Sequence, residues 1–471
     1  MSRSPHVHRP SESSSAPRST RWPTAGIPAI DPRFALLLSA GATAGWLVVW
    51  PALHGTTRLV LVAAASLAYA AALSSLTRSS DRGLNSPVGR TAIITAALLL
   101  VTAALLAPRG SHDVWSYVMY GRTVAVHHAS PYTHPPAAFP DDPYLPSVSR
   151  GWRNSPSVYG PVFTAYSSAT AAVAGGSAIA ARLSHQLLAA GSVMAVGLSV
   201  ARRRRDVGPL VLLAFNPAVV AIVNGGHNDL FVGALVAGAV ALAGRRRPVA
   251  AGVVMSLAVL VKIIAVLPAV VLLAWLWHRF DRRAAALCGI ATAVPVGMGY
   301  LLAGGLDALR PVLVGVDYAS RASLWSAARR LISMPPPLDR WSPLAATFGT
   351  AIVMVGALVI VAAINRRQWL RATSPAAGTT GGLVALIFVL PYVLPWYSGW
   401  VLPTATLVHT SRLARFARWQ STALVIAYAD LPGVLSGGTI TSVVSRLALP
   451  VTAGAAMFTV WCHRDGAAEE T

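Results

Sequence analysis

Long apolar runs separated by short polar connections set the pattern of this chain. They lie near residues 34–53, 57–77, 91–107, 179–200, 208–223, 229–243, 248–262, 264–278, 284–304, 343–364, 381–395, 400–411, 420–435 and 446–461. An α-helix needs ~20 apolar residues to cross the hydrocarbon layer. Several of these runs are shorter, which predicts helices that are kinked, paired at proline or half-buried. The pattern predicts an all-α polytopic membrane protein, a bundle of about 12–14 transmembrane helices occupying residues 33–463. Residues 1–32 are rich in Ser, Pro, Arg and His without an apolar core, which predicts a disordered cytoplasmic tail. They lack the short apolar region and small-residue cleavage site of a signal peptide, so run 34–53 reads as a signal anchor. Residues 464–471 form a second cytoplasmic tail.

The polar connections sort by charge. With the N-terminus inside, alternation of the runs puts Arg78, Arg82 and Arg90, then residues 202–205, 245–247, Arg279, Arg282 and Arg283, on one side. Arg366, Arg367 and Arg371, and Arg412, Arg415 and Arg418, fall on that side too, as the positive-inside rule requires. The agreement holds only if residues 158–175 form an interfacial helix and not a span. Two long external loops follow, 108–178 and 305–342, the first of them carrying interfacial helices. The chain is 55% hydrophobic and 11% charged, with mean hydropathy +0.57, so its net charge of +22 marks membrane topology and not a nucleic-acid partner. Cys288 and Cys462 lie in or beside apolar runs and imply no disulfide framework.

This topology gathers the chemistry at the external face. There lie the loop 108–157, the turn Asn224-Gly225-Gly226-His227-Asn228-Asp229, the junction at Lys262, the loop 305–342, and Pro395-Trp396-Tyr397 with Trp400. No Gly-rich phosphate loop or nucleotide-binding module is visible on the other side. An activated substrate reaching the outer face is therefore already attached to lipid.

The ordered set Asp113-Val-Trp-Ser-Tyr117, Gly121-Arg122, Ser130-Pro131-Tyr132, Trp152-Arg153, Ser155-Pro156, Tyr159-Gly160-Pro161, Asn216-Pro217, Gly225 to Asp229, Lys262 and Pro395 to Trp400 resembles a known family. It is that of the polyprenol-phosphomannose-dependent α-1,6-mannosyltransferases of actinobacteria, in the GT-C superfamily of membrane glycosyltransferases. The chain departs from the family pattern at Val158, where a second proline is usual, and in having one histidine before Asn228-Asp229 where two often stand. The resemblance implies a GT-C-like bundle and an inverting transfer of mannose from a polyprenyl-phosphate donor to a mannan or lipoglycan-type acceptor hydroxyl. The transfer is expected at the extracytoplasmic face of the plasma membrane, in a multi-pass protein. The implied partners are the lipid-linked sugar donor, a glycan or glycolipid acceptor and membrane lipid, with no nucleic acid, no cofactor and no metal. By the same resemblance, the acid early in the first external loop, here Asp113, is the general base.

The residues support that role independently. The chain has no glutamate between Glu12 and Glu469, so the base is an aspartate. Among the external ones, Asp141 and Asp142 sit in a Pro-rich loop that reads as turn chemistry. Asp113 and Asp229 stand at span ends inside polar clusters, and capping of the following helix is the alternative for both. Lys262 is the one lysine among 38 basic residues and interrupts the apolar run from Val249 to Trp277. A charge there costs at least ~2.5–3.5 kcal/mol, so either it snorkels or it pairs with the donor phosphate. Arg321, Arg329 and Arg330 in the second loop are further phosphate candidates, with anionic lipid as the alternative. His112, Tyr117, Arg122, Tyr159, His227, Asn228, Asp229, Trp396, Tyr397 and Trp400 are expected to contact substrate; an interfacial aromatic belt is the other reading for the last three. His112, His127, His128 and His134 match no standard zinc spacing. The competing functions are a GT-C transferase for another polyprenyl-phosphate sugar and a lipid-linked sugar flippase or transporter.

Overall fold

A computed structural model describes residues 30–52, 56–314, 374–390 and 393–428. Among these the chain is α-helical with short 3-10 turns and no strand. Helix starts are written locally as a capping side chain followed by proline. Asp31 caps α1 (Pro32–Val49), Ser86 caps α3 (Pro87–Leu105) and Asn216 caps α8 (Pro217–Asn224). In each the cap oxygen accepts an early backbone N–H, and proline occupies a position whose N–H has no intrahelical partner. α2 (Thr56–Arg78), α6 (Ala178–Arg204) and α12 (Arg282–Leu302) complete the five helices long and apolar enough to cross a bilayer.

The other apolar runs are used in broken form. Run 208–223 divides at Phe215-Asn216 into α7 (Gly208–Ala214) and α8, because Pro217 has no N–H to continue the ladder. Asn216 answers the break, its amide donating to Ser421 at 3.0 Å. α8 then meets α9 (Asp229–Gly244) at 119°. α10 (Pro248–Val261) stops at Lys262, whose backbone is extended, before a 3-10 turn at Ile263–Ala265 and α11 (Val266–Arg279). α13 (Leu306–Val314) follows α12.

Run 381–395 becomes α14 (Pro375–Val389), and run 400–411 begins as the short α15 (Ser398–Ala405) before passing into a 3-10 turn at Thr406–Val408. Run 420–435 starts early: α16 spans Arg412–Tyr428, so Arg412, Arg415 and Arg418, expected in a connection, lie inside a helix. Its first half is amphipathic, with Arg412 and Arg415 exposed while Ala414 and Ala417 are buried. α15 lies against α9 where Gly233 meets the Gly399 carbonyl so closely that a β-carbon at Gly233 has no room. Residues 158–175, expected to form an interfacial helix, contain α5 (Pro161–Ala174), a helix of 14 residues, short of the ~20 needed to span. Runs 343–364 and 446–461 lie outside the described residues, as do Arg321, Arg329 and Arg330.

The bundle has two chemically distinct ends. At one, Asp206 takes Arg82 at 3.5 Å, His409 at 3.4 Å and the Gly208 N–H at 2.8 Å. Arg204 donates to the Leu407 carbonyl at 3.1 Å. Three basic connections thus meet at this end. The chemistry described next gathers at the other.

Candidate active site

α3 ends at Leu105, and its last carbonyls need partners. Asn224, at the end of α8, supplies them: its amide donates to the carbonyls of Ala103 (3.0 Å), Leu106 (3.3 Å) and Ala107 (3.1 Å), while its oxygen accepts the Arg109 N–H at 2.7 Å. From α6, Gln186 donates to the carbonyls of Leu106 (3.0 Å) and Asn224 (2.6 Å). Arg182 donates to Leu105 (3.1 Å) and Leu106 (3.0 Å) and to the Gln186 oxygen (2.6 Å). This network fixes the linker into α4 (Asp113–Ala125). His112 takes the cap position and Asp113 is the first helical residue, its N–H donating to Ser111 Oγ at 3.2 Å. The Asp113 side chain is 19% exposed, and its Oδ2 lies 3.6 Å from Nδ1 of the buried His227.

The second carboxylate, Asp229, is fully buried at the start of α9. Its Oδ1 accepts from Lys262 Nζ at 2.8 Å and from Trp400 Nε1 at 2.6 Å. The Lys262 ammonium also faces the rings of Tyr159 (5.6 Å), Tyr397 (5.7 Å) and Trp400 (5.5 Å), a cation–π enclosure. Tyr159 is brought there by Gly160, whose N–H donates to the Val261 carbonyl at 3.0 Å. A β-carbon at Gly160 would collide with the Leu260 carbonyl, so only glycine allows this approach. Tyr397 stacks on Trp400 at 4.0 Å, and Trp396 stacks on His227 at 4.3 Å.

Asp113, His227, Asp229, Lys262, Tyr159, Trp396, Tyr397 and Trp400 therefore form one connected cluster. Around it several buried polar atoms have no hydrogen-bond partner: Asn228 Oδ1 and Nδ2, Asp229 Oδ2, His227 Nδ1 and Ser398 Oγ. Burial pushes the Asp113 carboxyl up to about 6, with the Asp229 carboxylate adding to the rise and Ser111, Lys262 and His112 opposing it. A carboxyl so tuned is a base at neutral pH that can still hold a proton. Burial and the nearby Asp113 carboxylate hold the Tyr159 phenol well above its ordinary value, so it stays protonated.

Two further residues expected to contact substrate are held by protein partners. Tyr117 is buried edge-on between Tyr159 (4.9 Å) and Phe163 (5.1 Å). Arg122 pairs with Asp142, its Nε at 2.9 Å from Oδ2 and its guanidinium over the Tyr144 ring at 4.6 Å. His127 joins the same carboxylate at 2.7 Å and stacks on Phe139. Burial alone would raise the Asp142 pKa, but the Tyr144 N–H, His127 and Arg122 hold it below the usual carboxylate range. Asp142 thus does more than turn chemistry: it ties the Pro-rich loop to α4. His112 stays exposed, with Nδ1 3.3 Å from the Ser147 carbonyl.

Asn224, Gln186 and Arg182 were not among the expected site residues. The signal was present: four of the first nine residues of α6 (Arg182, Ser184, His185 and Gln186) are polar within an apolar helix, and Arg182 and Gln186 share a face at i, i+4.

Residues 33–279 match the family model described as alpha-(1->6)-mannopyranosyltransferase, N-terminal domain. The chain is 24% identical over 352 residues to alpha-(1->6)-mannopyranosyltransferase A of Mycobacterium tuberculosis (strain ATCC 25618 / H37Rv), covering 68% of this chain and 66% of that protein. It is 28% identical over 193 residues to the protein of the same name from Corynebacterium glutamicum, covering 40% of this chain and 39% of the relative. In both cases the match spans less than two thirds of the relative's length. The matched family region holds Asp113, His227, Asp229 and Lys262, while Trp396, Tyr397 and Trp400 reach the cluster from beyond it. With more than half its length in that match, the chain belongs to the alpha-(1->6)-mannopyranosyltransferase family.

Proposed function

We propose that this protein is an inverting mannosyltransferase that moves mannose from a polyprenyl-phosphate donor to a sugar hydroxyl, with Asp113 as general base. The observation that carries the reading is the partly exposed carboxylate of Asp113 beside a buried Asp229–Lys262 pair, with aromatic rings on the same side. Family membership supports mannose and an α-1,6 bond. An inverting enzyme that makes an α bond needs a β-linked donor.

The acceptor oxygen attacks the anomeric carbon on the face opposite the phosphate. Its proton passes to Asp113 as the new C–O bond forms, the old bond to phosphate oxygen breaks, and the polyprenyl phosphate leaves with the electron pair. Lys262 sits close enough to bias Asp113 and would steady the charge that develops on the leaving phosphate. Its attachment to Asp229 keeps the cation ready in an otherwise apolar setting. Arg321, Arg329 and Arg330 remain candidates for the same headgroup. Tyr159, Trp396 and Tyr397 offer ring faces to sugar or prenyl. The site is assigned to the extracytoplasmic side, because the opposite end of the bundle carries the clustered arginines.

The test is transfer by the full-length protein from polyprenyl-phosphate mannose to a short α-mannoside, compared with Asp113→Asn. Asn keeps the shape but takes no proton, so turnover is expected to fall by ~10²–10⁴-fold while donor binding persists. Turnover by Asp113→Asn above about a tenth of the unmutated rate would remove Asp113 from the role.

A further inference from the structure

We infer that His227 is the positioning residue for Asp113, its Nδ1–H closing onto Oδ2 of the carboxylate when the acceptor is engaged. This rests on the reading of Asp113 as the base. Four observations carry it. The two atoms stand 3.6 Å apart, slightly beyond hydrogen-bond distance, and catalytic hydrogen bonds tighten on substrate binding. His227 Nδ1 is buried and has no hydrogen-bond partner. The ring is clamped, with Trp396 stacked on one face at 4.3 Å and an interplanar angle of 15°. Its far edge packs on the chain: a β-carbon at Gly225 would lie 2.5 Å from Cδ2 and 2.6 Å from Nε2. The imidazole thus has one edge held against Gly225 and the other turned to Asp113.

Exposure sets the order of events. The Asp113 side chain is 19% exposed and His227 only 3%, so a substrate meets the carboxylate first and the imidazole stands behind it. Direct contact of His227 with a sugar or phosphate does not fit that burial. The groups facing Asp113 are Ser111 and His112 beside it, Tyr117 and Tyr120 on its own helix, Tyr159 from the loop, Asp229 from α9 and Lys262 from the α10–α11 junction. Lys262 also faces His227, and with burial it keeps the ring neutral. A neutral imidazole with its proton on Nδ1 donates to the carboxylate without surrendering that proton. The acceptor proton goes to Asp113 alone. A donor to the ionised carboxylate favours that form, so losing it raises the pH at which the base becomes protonated.

The experiment is the pH dependence of kcat at saturating polyprenyl-phosphate mannose with a short α-mannoside, for the full-length protein, His227→Phe, His227→Asn and Asp113→Asn. His227→Phe is expected to move the acidic limb upward by about one pH unit and to lower kcat by roughly tenfold. The donor KM should hold. His227→Asn, whose amide nitrogen takes the place of Nδ1, should return the limb most of the way. A purely structural role would lower the amount of folded protein without moving the limb. Should His227→Phe fail to fold by thermal melting, Trp396→Leu reads the same effect: it frees the ring, and a shift in the same direction is expected. An unmoved limb in whichever of these variants folds overturns the inference. Failure of the underlying reading looks different, since Asp113→Asn would then keep near-normal turnover and an intact acidic limb.

Discussion

Lys262 Nζ lies 2.8 Å from Oδ1 of Asp229, a carboxylate with no solvent exposure, and Trp400 donates to the same oxygen at 2.6 Å. From the sequence, replacing Lys262 by Met relieves a buried charge. In the structure it strands one.

Lys262→Met is therefore expected to destabilise the protein by roughly 3–5 kcal/mol, as breaking a buried pair does. The double change Lys262→Met with Asp229→Leu should recover much of the melting temperature while transfer stays lost. Melting curves in detergent separate the cases: a Lys262→Met protein as stable as the parent would mean the pair carries no structural weight.

Asp113 titrates near 6 because burial disfavours its charged form. A base must be ionised to act, so activity should be on a plateau above that value and fall as pH drops through it. The measurement is transfer rate against pH between about 4.5 and 8 under saturating substrates, bracketing the carboxyl. A rate flat down to pH ~4.5 would contradict a base with this setting.

The Arg122–Asp142 pair fixes the Pro-rich loop after α4 to that helix. Asp142→Asn leaves a buried guanidinium without its counter-charge and is expected to cost about 3 kcal/mol of stability. Turnover per folded molecule should change little. The folded pKa of Asp142 is depressed, so its stabilisation is present above the unfolded value of ~3.9 and is lost only as pH falls through the lower folded value. Acid loss of activity near pH 6 is therefore not loop unfolding, and near-ultraviolet dichroism across that range should stay constant.

Ser149, exposed in the loop after α4, and Ser80, exposed at the arginine-rich end, lie on opposite sides of the membrane under the proposed sidedness. With Cys288 and Cys462 removed, single cysteines at these two positions should react oppositely with an impermeant thiol reagent in intact cells. Labelling of both, or of Ser80→Cys alone, would reverse the sidedness proposed for the site.

Much of this was written locally. Apolar runs long enough to span announce themselves without any tertiary contact, because a bilayer demands a contiguous stretch with its backbone bonded internally. The caps and prolines at Asp31-Pro32, Ser86-Pro87 and Asn216-Pro217 set helix starts within a few residues. Asp113 and Lys262 stood out because a charge in apolar surroundings is costly, which makes it informative. Where α16 begins was less legible, since its arginines lie on one face of a helix and only the neighbours on the other face reveal it.

Partnership was decided by the tertiary structure alone. Lys262 finds Asp229 across 33 residues and Trp400 finds it across 171, distances over which no periodicity carries information. The same holds for Asn224 gripping the end of α3 and for Asp142 taking Arg122. The sequence determined which residues were too costly to be idle in a membrane setting. Helix packing decided which opposite charge or donor each one meets, because a buried charge is tolerated only where the fold delivers its partner to within a hydrogen bond.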